Sequence, residues 1–470
     1  MFDRKVALYG NESICKQLAY VLNIEKYTII KDIKKYKSNK NTLIICNDYK
    51  NIKKYLHKLH LKNKKDYFKI NYIYQRINKG YIKKLTIDRY RFYINKHNLI
   101  NIIHIIRPTL KNIDLINKIP VEFLKTSEMF IKTINSKSLN IKCKNLEETC
   151  NIDNNGEMWG CCPGWIKLSY GNILNQEKYN EYNSYHARVI RLSSLNKTYC
   201  FCDFNNCRYA HKKEIAQDIN KIKTDNYPKE LTISIDKSCN LKCSSCRKCF
   251  YKSNDKEKQK LNKLAEEITK TGWLEKSKIV MAGQGEVFYS DTYKKIITSN
   301  IKRKSIKILT NGTLFNKKNW DLIEKIYKDI YVSISIDAAT KETYKKLRYG
   351  NFDYLKKNLE MLGNLRKQKK IKEIQYNFVV QRANYNEIIE FVNMAKKLNV
   401  DLIQFTKLNN WGTYTDKEYI EKSMIIENKY LQYDLYKILE NPIFKEKNID
   451  IVSFEEYIKN SKEFYGEKDE

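Results

Sequence analysis

Cys239, Cys243 and Cys246 fall within eight residues of one another, in the run Asp236-Lys-Ser-Cys239-Asn-Leu-Lys-Cys243-Ser-Ser-Cys246-Arg247. Thiolates at this spacing can hold three corners of a cubane iron-sulfur cluster, and without a fourth protein sulfur one iron stays open for chemistry. Cys249, three residues further on, fits a fourth position only if the loop holds zinc; it is read as a spare or structural thiol. A second group lies upstream, with seven of the thirteen cysteines between residues 143 and 207. In a reducing compartment such cysteines are metal or redox ligands rather than a disulfide framework.

The elements that must position these thiols are legible from Leu231 onward. Short β-branched runs at Leu231 to Ile235, Lys278 to Ala282, Ser305 to Thr310, Tyr331 to Ile336, Ile374 to Val380 and Leu402 to Thr406 alternate with helical patterns near 256–270, 291–302, 317–328, 352–368 and 385–398. Six such units predict an α/β fold with a parallel sheet and crossover helices. Active sites of parallel barrels lie at the carboxy-terminal strand ends, and the cysteine loop directly follows the first strand.

Composition narrows the rest. At 470 residues the chain exceeds one core, so two or three domains are expected. The net charge of +35 is mostly lysine spread along the whole chain, which reads as a solvated surface rather than a nucleic-acid site. No signal-like segment and no membrane-length apolar run is apparent, so a cytoplasmic protein is expected, with no membrane partner.

The cysteine triplet and its barrel setting resemble the radical S-adenosylmethionine (SAM) enzymes. The resemblance implies a 4Fe-4S cluster on Cys239, Cys243 and Cys246, whose open iron binds SAM and whose electron splits it to a 5′-deoxyadenosyl radical. Gly283-Gln284-Gly285-Glu286 after the second strand is similar to the family's Gly-Gly-Glu-Pro element, with Gln284 for the second glycine and Val287 for the proline. Glu286 then sits where a SAM ammonium is bound. Thr310-Asn311-Gly312 resembles the family's turn after the third strand, and Ser335 and Arg348 match the residues facing the SAM ribose and carboxylate. Where many members have an aromatic residue before the third cysteine, this chain has Ser245, so adenine stacking must come from elsewhere. The family also implies an electron donor such as flavodoxin or ferredoxin.

The upstream stretch from Cys143 to Trp165 reads as a hairpin turning at Asn154-Asn155-Gly156, followed by Cys200, Cys202 and Cys207. Its order is similar to the auxiliary-cluster domains called SPASM and twitch, although those generally follow the barrel. On that resemblance Cys143, Cys161, Cys202 and Cys207 are the candidate ligands of a second 4Fe-4S cluster, with Cys150, Cys162 and Cys200 as alternatives. Spacing alone leaves structural zinc open. Near the amino terminus, Lys5 to Leu18 begins like a strand, glycine turn and helix, resembling half of a Rossmann-like fold. Only Gly10 of the dinucleotide fingerprint is present, so no dinucleotide is expected.

The expected organisation is a Rossmann-like domain (1–80), a helical connector (81–139), a SPASM/twitch-like domain (140–215), a partial (β/α)6 barrel (228–415) and a helical carboxy-terminal extension (416–470). The expected activity is SAM cleavage with hydrogen abstraction from a small molecule, glycan or peptide, tilted slightly to carbohydrate-like substrates by the amino-terminal resemblance. A zinc-cysteine nucleic-acid scaffold and an RNA-modifying radical SAM enzyme are the alternatives.

Overall fold

The structure is a computed structural model. It describes residues 225–299 and 303–466 continuously, most of 143–191, Cys202, and before these a set of strands between residues 5 and 106 with Ala19. Two compact units emerge: Met1–Glu147 with Trp159–Gly171 and Lys178–Asn226, and Glu148–Met158 with Asn172–Glu177 and Tyr227–Glu470. The stretch expected as a single cysteine domain, 140–215, is therefore divided between them.

In the first unit, strands Tyr27–Ile30, Lys5–Gly10 and Asn41–Cys46 lie parallel in that spatial order. This is the arrangement expected of a Rossmann-like half. The sheet then departs from it, because Ile103–Ile106 pairs antiparallel with Asn41–Cys46 and Tyr67–Ile73 follows antiparallel again. Residues 81–139 were expected to be a helical connector; where they are described they are strands instead, Lys84–Thr86 and Ile103–Ile106. The Ile-rich run Ile103–Ile106 serves the sheet, which overrides a weak helical period. The turn Asn11–Cys15 lies outside the described residues.

Arg191 anchors the same unit. It is fully buried, donating from Nε to Leu146 O (3.0 Å) and from Nη2 to Tyr182 O (2.8 Å). Its guanidinium also lies 4.3 Å from the Tyr182 ring centroid and 5.1 Å from that of Tyr170. Arg191→Leu keeps the bulk and removes these donors, so it should destabilise the unit by about 2 kcal/mol or more. Denaturant melts followed by tyrosine fluorescence test this; an unchanged midpoint would show that water replaces the side chain without loss.

In the second unit six parallel strands form the barrel sheet: β1 (Glu230–Ser234), β2 (Lys278–Met281), β3 (Arg303–Thr310), β4 (Tyr327–Ser335), β5 (Glu373–Val380) and β6 (Leu402–Lys407). Their connections carry α1 (Asp255–Lys270), α2 (Asp291–Thr298), α3 (Lys317–Glu324), α4 (Lys341–Arg348), α5 (Phe352–Lys367) and α6 (Ile388–Lys397). Five of these helices start where side-chain caps dictate: Asn254, Ser290, Asn316, Thr340 and Asn351 each accept a backbone N–H of the first turn. Such a cap is worth ~1 kcal/mol. The sixth helix has no such cap.

Strand alternation sorts the two faces. Ile308, Val332, Ile334, Tyr376, Phe378 and Phe405 are buried and meet the helices, with Phe391 of α6 4.8 Å from Phe378. The other face is polar: Lys307 Nζ donates to Gln375 Oε1 (2.8 Å), Gln375 Nε2 to Asn377 Oδ1 (2.7 Å), and Asn377 Nδ2 to Ser333 Oγ (2.8 Å).

Both sheet edges extend beyond what the sequence suggests. Thr149–Asp153 pairs parallel with β1, Cys150 opposite Leu231, and Ile449–Asp450 pairs parallel with β6. The carboxy-terminal extension is consequently not all helix. Between α7 (Asp416–Lys422), α8 (Tyr433–Leu439) and α9 (Glu455–Gly466) lie the hairpin Ile425–Ile426/Tyr430–Leu431 and that edge strand. Covering a barrel edge satisfies backbone groups that would otherwise be open. Among the described residues no helix is long and apolar enough to cross a membrane.

Candidate active site

The loop leaving β1 is held from beneath by a carboxylate that sequence reasoning passed over. Asp236 is buried; its Oδ1 accepts from Ser238 N (2.9 Å) and Ser253 Oγ (2.8 Å), and its Oδ2 from Ser290 Oγ (2.6 Å). Ser290 is also the cap of α2, so this one side chain ties the start of the cysteine loop to its end and to the next crossover. Its place at the head of the cysteine run was the available signal. At the far side, Cys239 N donates to Tyr251 O (2.9 Å), closing the loop.

Within it Cys239 and Cys243 are buried and Cys246 is exposed. Cys246 N and Arg247 N both donate to Cys243 O (2.9 and 3.1 Å), a tight turn that sets the second and third thiols side by side. Burial pushes the Cys243 thiol up to about 11, against the pull of Arg348, and raises that of Cys239 as well. Metal binding at these thiols is therefore coupled to proton release. Among the described residues no three His, Cys, Asp or Glu side chains converge to hold one metal ion. A cubane does not ask for that convergence, because each thiolate binds a different iron.

Arg247, a second residue missed from sequence, bridges this loop to the next. It donates to Lys237 O and Gln284 O, and its Nη2 lies 3.6 Å from Cys246 Sγ. The turn after β2 fits closely here: a Cβ on Gly285 would stand 2.3 Å from Asp236 O and 2.7 Å from Ser238 O, and one on Gly283 2.5 Å from Ser234 Oγ. Ala282 before it has φ 69°, a left-handed conformation costing ~1–2 kcal/mol in a residue with Cβ. Gly285→Ala must push the cysteine loop away, at ~1–3 kcal/mol of overpacking. Reduced iron content with a near-native circular dichroism spectrum is the expected result. Normal iron loading would show that the loop absorbs the methyl.

Glu286 is placed differently from the expectation. Its carboxylate is fully buried, Oε1 accepting from Thr310 Oγ1 (2.7 Å) and Oε2 from Asn311 N (2.8 Å). Burial raises its pKa, opposed by the Asn311 amide and the Thr310 hydroxyl. Glu286 thus welds the β2 and β3 exits together. Gly283 is exposed and Gln284 and Gly285 half-buried, so the backbone of this turn is the part open to a ligand. Asn311 Nδ2 in turn lies 3.8 Å from Cys239 Sγ and 3.0 Å from Asn240 Oδ1, bringing the β3 exit to the first thiol.

Ser335 and Arg348 also meet, through the backbone. Arg348 Nη2 donates to Ser335 O (2.6 Å) and Nη1 to Asp337 Oδ2 (2.9 Å). Asp337, at φ 62°, accepts from Val379 N on its other oxygen (2.8 Å). Arg348 Nε and Tyr344 Oη are buried without a partner. The loop also touches the β6 exit, where Thr413 Oγ1 lies 3.3 Å from Cys246 O. Three thiols on one loop, a Cβ-free approach from β2 and orphaned buried donors on the helix packed against that loop fit a three-thiolate cluster with a small ligand.

Of the auxiliary candidates, Cys143, Cys161, Cys162 and Cys202 are half-buried in the first unit, and an isolated bridge pairs Ile166 with Cys202. Burial raises the Cys162 thiol. Cys150 belongs to the second unit, fully buried in the strand beside β1. Cys200 and Cys207 lie outside the described residues.

Comparison with known proteins follows the same outline. Residues 233–395 match the model of the radical SAM superfamily. A probable GTP 3′,8-cyclase of Methanococcus aeolicus is 27% identical over 228 residues, 43% of this chain and 73% of that protein. The antilisterial bacteriocin subtilosin biosynthesis protein AlbA of Bacillus subtilis is 24% identical over 237 residues, 48% of this chain and 49% of that protein, so the match spans about half its length. The crystal structure of Streptococcus suis SuiB is 18% identical, covering 62% of this chain and 73% of that one at a TM-score of 0.34. The cysteine loop on the first of six parallel strands and the match that begins within that strand agree, and residues 233–395 form a domain of the radical SAM superfamily, whose members bind a 4Fe-4S cluster and SAM.

Proposed function

We propose that this protein cleaves SAM at Cys239, Cys243 and Cys246 to abstract hydrogen from a polypeptide substrate, with an auxiliary 4Fe-4S cluster on Cys143, Cys161, Cys202 and Cys207. The observation that carries the first part is the cysteine loop itself, braced by Asp236 and Arg247 at the carboxy-terminal mouth of the barrel. When bound, the cluster and SAM supply the one-electron cleavage and the hydrogen-abstracting group. The chain's own residues position and shield: Asp236 fixes the loop, the Gly283–Gly285 turn offers close backbone approach, and Glu286 locks two strand exits.

Likeness to a bacteriocin biosynthesis protein supports a peptide substrate over the carbohydrate-like one. The half-buried cysteines of the first unit, with Cys202 bridged next to the segment that follows Cys161 and Cys162, support the auxiliary site. Likeness to a GTP 3′,8-cyclase favours nucleotide chemistry as the second reading.

One assay tests all three. Anaerobically purified protein should carry about seven to eight irons and release 5′-deoxyadenosine with SAM and dithionite. Deuterium should pass into that product from a deuterated peptide and not from deuterated GTP. Label from GTP alone reverses the order of the two readings. Colourless protein containing zinc and releasing no 5′-deoxyadenosine would overturn the proposal.

A further inference from the structure

Arg348 is a buried cation at the end of a helix that packs on the cysteine loop. Helix α4, which it ends, packs directly on that loop: Ser244 N donates to Leu347 O (2.9 Å), and a Cβ on Gly350 would meet both Tyr344 (2.7 Å) and Leu241 (3.2 Å). Tyr344 and Arg348, one helical turn apart, thereby reach the neighbourhood of Cys243. Each leaves one buried donor unmatched, Nε of Arg348 and Oη of Tyr344. An unmatched buried donor costs ~1–3 kcal/mol, and two of them one turn apart on one helix imply an acceptor that belongs there.

We propose that Arg348 and Tyr344 donate hydrogen bonds to the sulfurs of the cluster at Cys243, raising its reduction potential, and that Arg348 is not the ligand of the SAM carboxylate. This rests on the reading that Cys239, Cys243 and Cys246 hold that cluster. Two observations separate it from a SAM-binding role. Arg348 already holds one carboxylate, that of Asp337, and its side chain is only 10% exposed, so a second carboxylate arriving from solvent finds little of the fork open. A cluster assembled in place on the loop meets no such barrier. Donors to cluster sulfurs favour the more negative, reduced state.

Redox titration of the reconstituted protein, followed by electron paramagnetic resonance without substrate, is the test. Arg348→Gln should lower the reduced-to-oxidised ratio at a fixed potential about tenfold, which for one electron is ~59 mV. Tyr344→Phe should shift it the same way by less. SAM affinity, measured by equilibrium dialysis, should fall little in either variant. An unshifted potential in both variants overturns the proposal, and so does an unshifted potential with SAM affinity lost in Arg348→Gln, which restores the carboxylate role. If Arg348→Gln fails to hold iron, Tyr344→Phe decides, since it removes only a hydroxyl. Should the wild-type protein show no cluster signal assignable to these cysteines, the underlying functional reading falls instead.

Discussion

Replacing Cys239, Cys243 and Cys246 together with alanine is expected to reduce 5′-deoxyadenosine release to that of a protein-free control and to remove about four irons per chain. The effect should exceed that of any other substitution because no neighbouring group can take over. The second and third thiols share one turn at Cys243 O, and Cys249, the nearest remaining sulfur in the loop, is exposed. The fold should survive. Asp236, Ser238, Ser253 and Ser290 brace the loop without the thiols, and alanine suits the two buried positions. Iron analysis, circular dichroism and product chromatography on one preparation separate the outcomes. Cys249→Ala is the control and should retain full SAM cleavage. Survival of cleavage in the triple variant would place the reaction elsewhere, whereas loss of cleavage in Cys249→Ala would show that the reaction needs Cys249 and that it is not a spare thiol.

The barrel was legible because its strands are buried on the helix side and half-polar on the other, so period-two runs such as Ser305 to Thr310 announce themselves. Observed β3 begins two residues earlier, at Arg303, and ends at the same Thr310. Caps such as Asn254, with Glu257 three residues on, fix the helix starts that the apolar patterns placed only approximately. The hairpin strand at Thr149–Asp153 was legible, but how the sheet extends past β1 and β6 was not. Thr149–Asp153 reads as half of a local hairpin, and its parallel partner β1 is distant in sequence, so only tertiary pairing reveals it. Ile449–Asp450 is two residues long and carries no period at all.

At the site, residue type was readable and orientation was not. Glu286 occupies the expected turn, yet its carboxylate faces Thr310 and Asn311. Arg348 lies on the expected helix and is engaged with Asp337. Motif spacing fixes which strand end a residue occupies; which way it points depends on the buried donors and acceptors across the gap. Those partners come from other strands. Asp236 and Arg247 show the converse, being adjacent to the cysteines in sequence and invisible as braces until their partners on α2 and the β2 turn are known.

Asp337→Ala should be the most destabilising single substitution in the barrel. The pair Asp337–Arg348 is 2.9 Å apart, with side-chain exposures of 3% and 10%. Forming such a buried pair from water gains little, because desolvation offsets attraction, but removing one partner leaves an uncompensated charge and costs ~3–5 kcal/mol. The same carboxylate also accepts from Val379 N, and Asn384 Nδ2 donates to the Asp337 carbonyl. Asp337 therefore joins the exits of β4 and β5. Alanine would in addition have to keep a left-handed φ of 62°, which Asp tolerates better. Asp337→Asn retains an acceptor for Val379 N and the backbone preference, so it should lose less, isolating the charge. Denaturant unfolding of the iron-free protein gives both differences. The double variant Asp337→Ala/Arg348→Met, which removes both charges, should recover part of the loss. If it is no more stable than Asp337→Ala alone, the cost lies in backbone geometry at residue 337 and not in the stranded guanidinium.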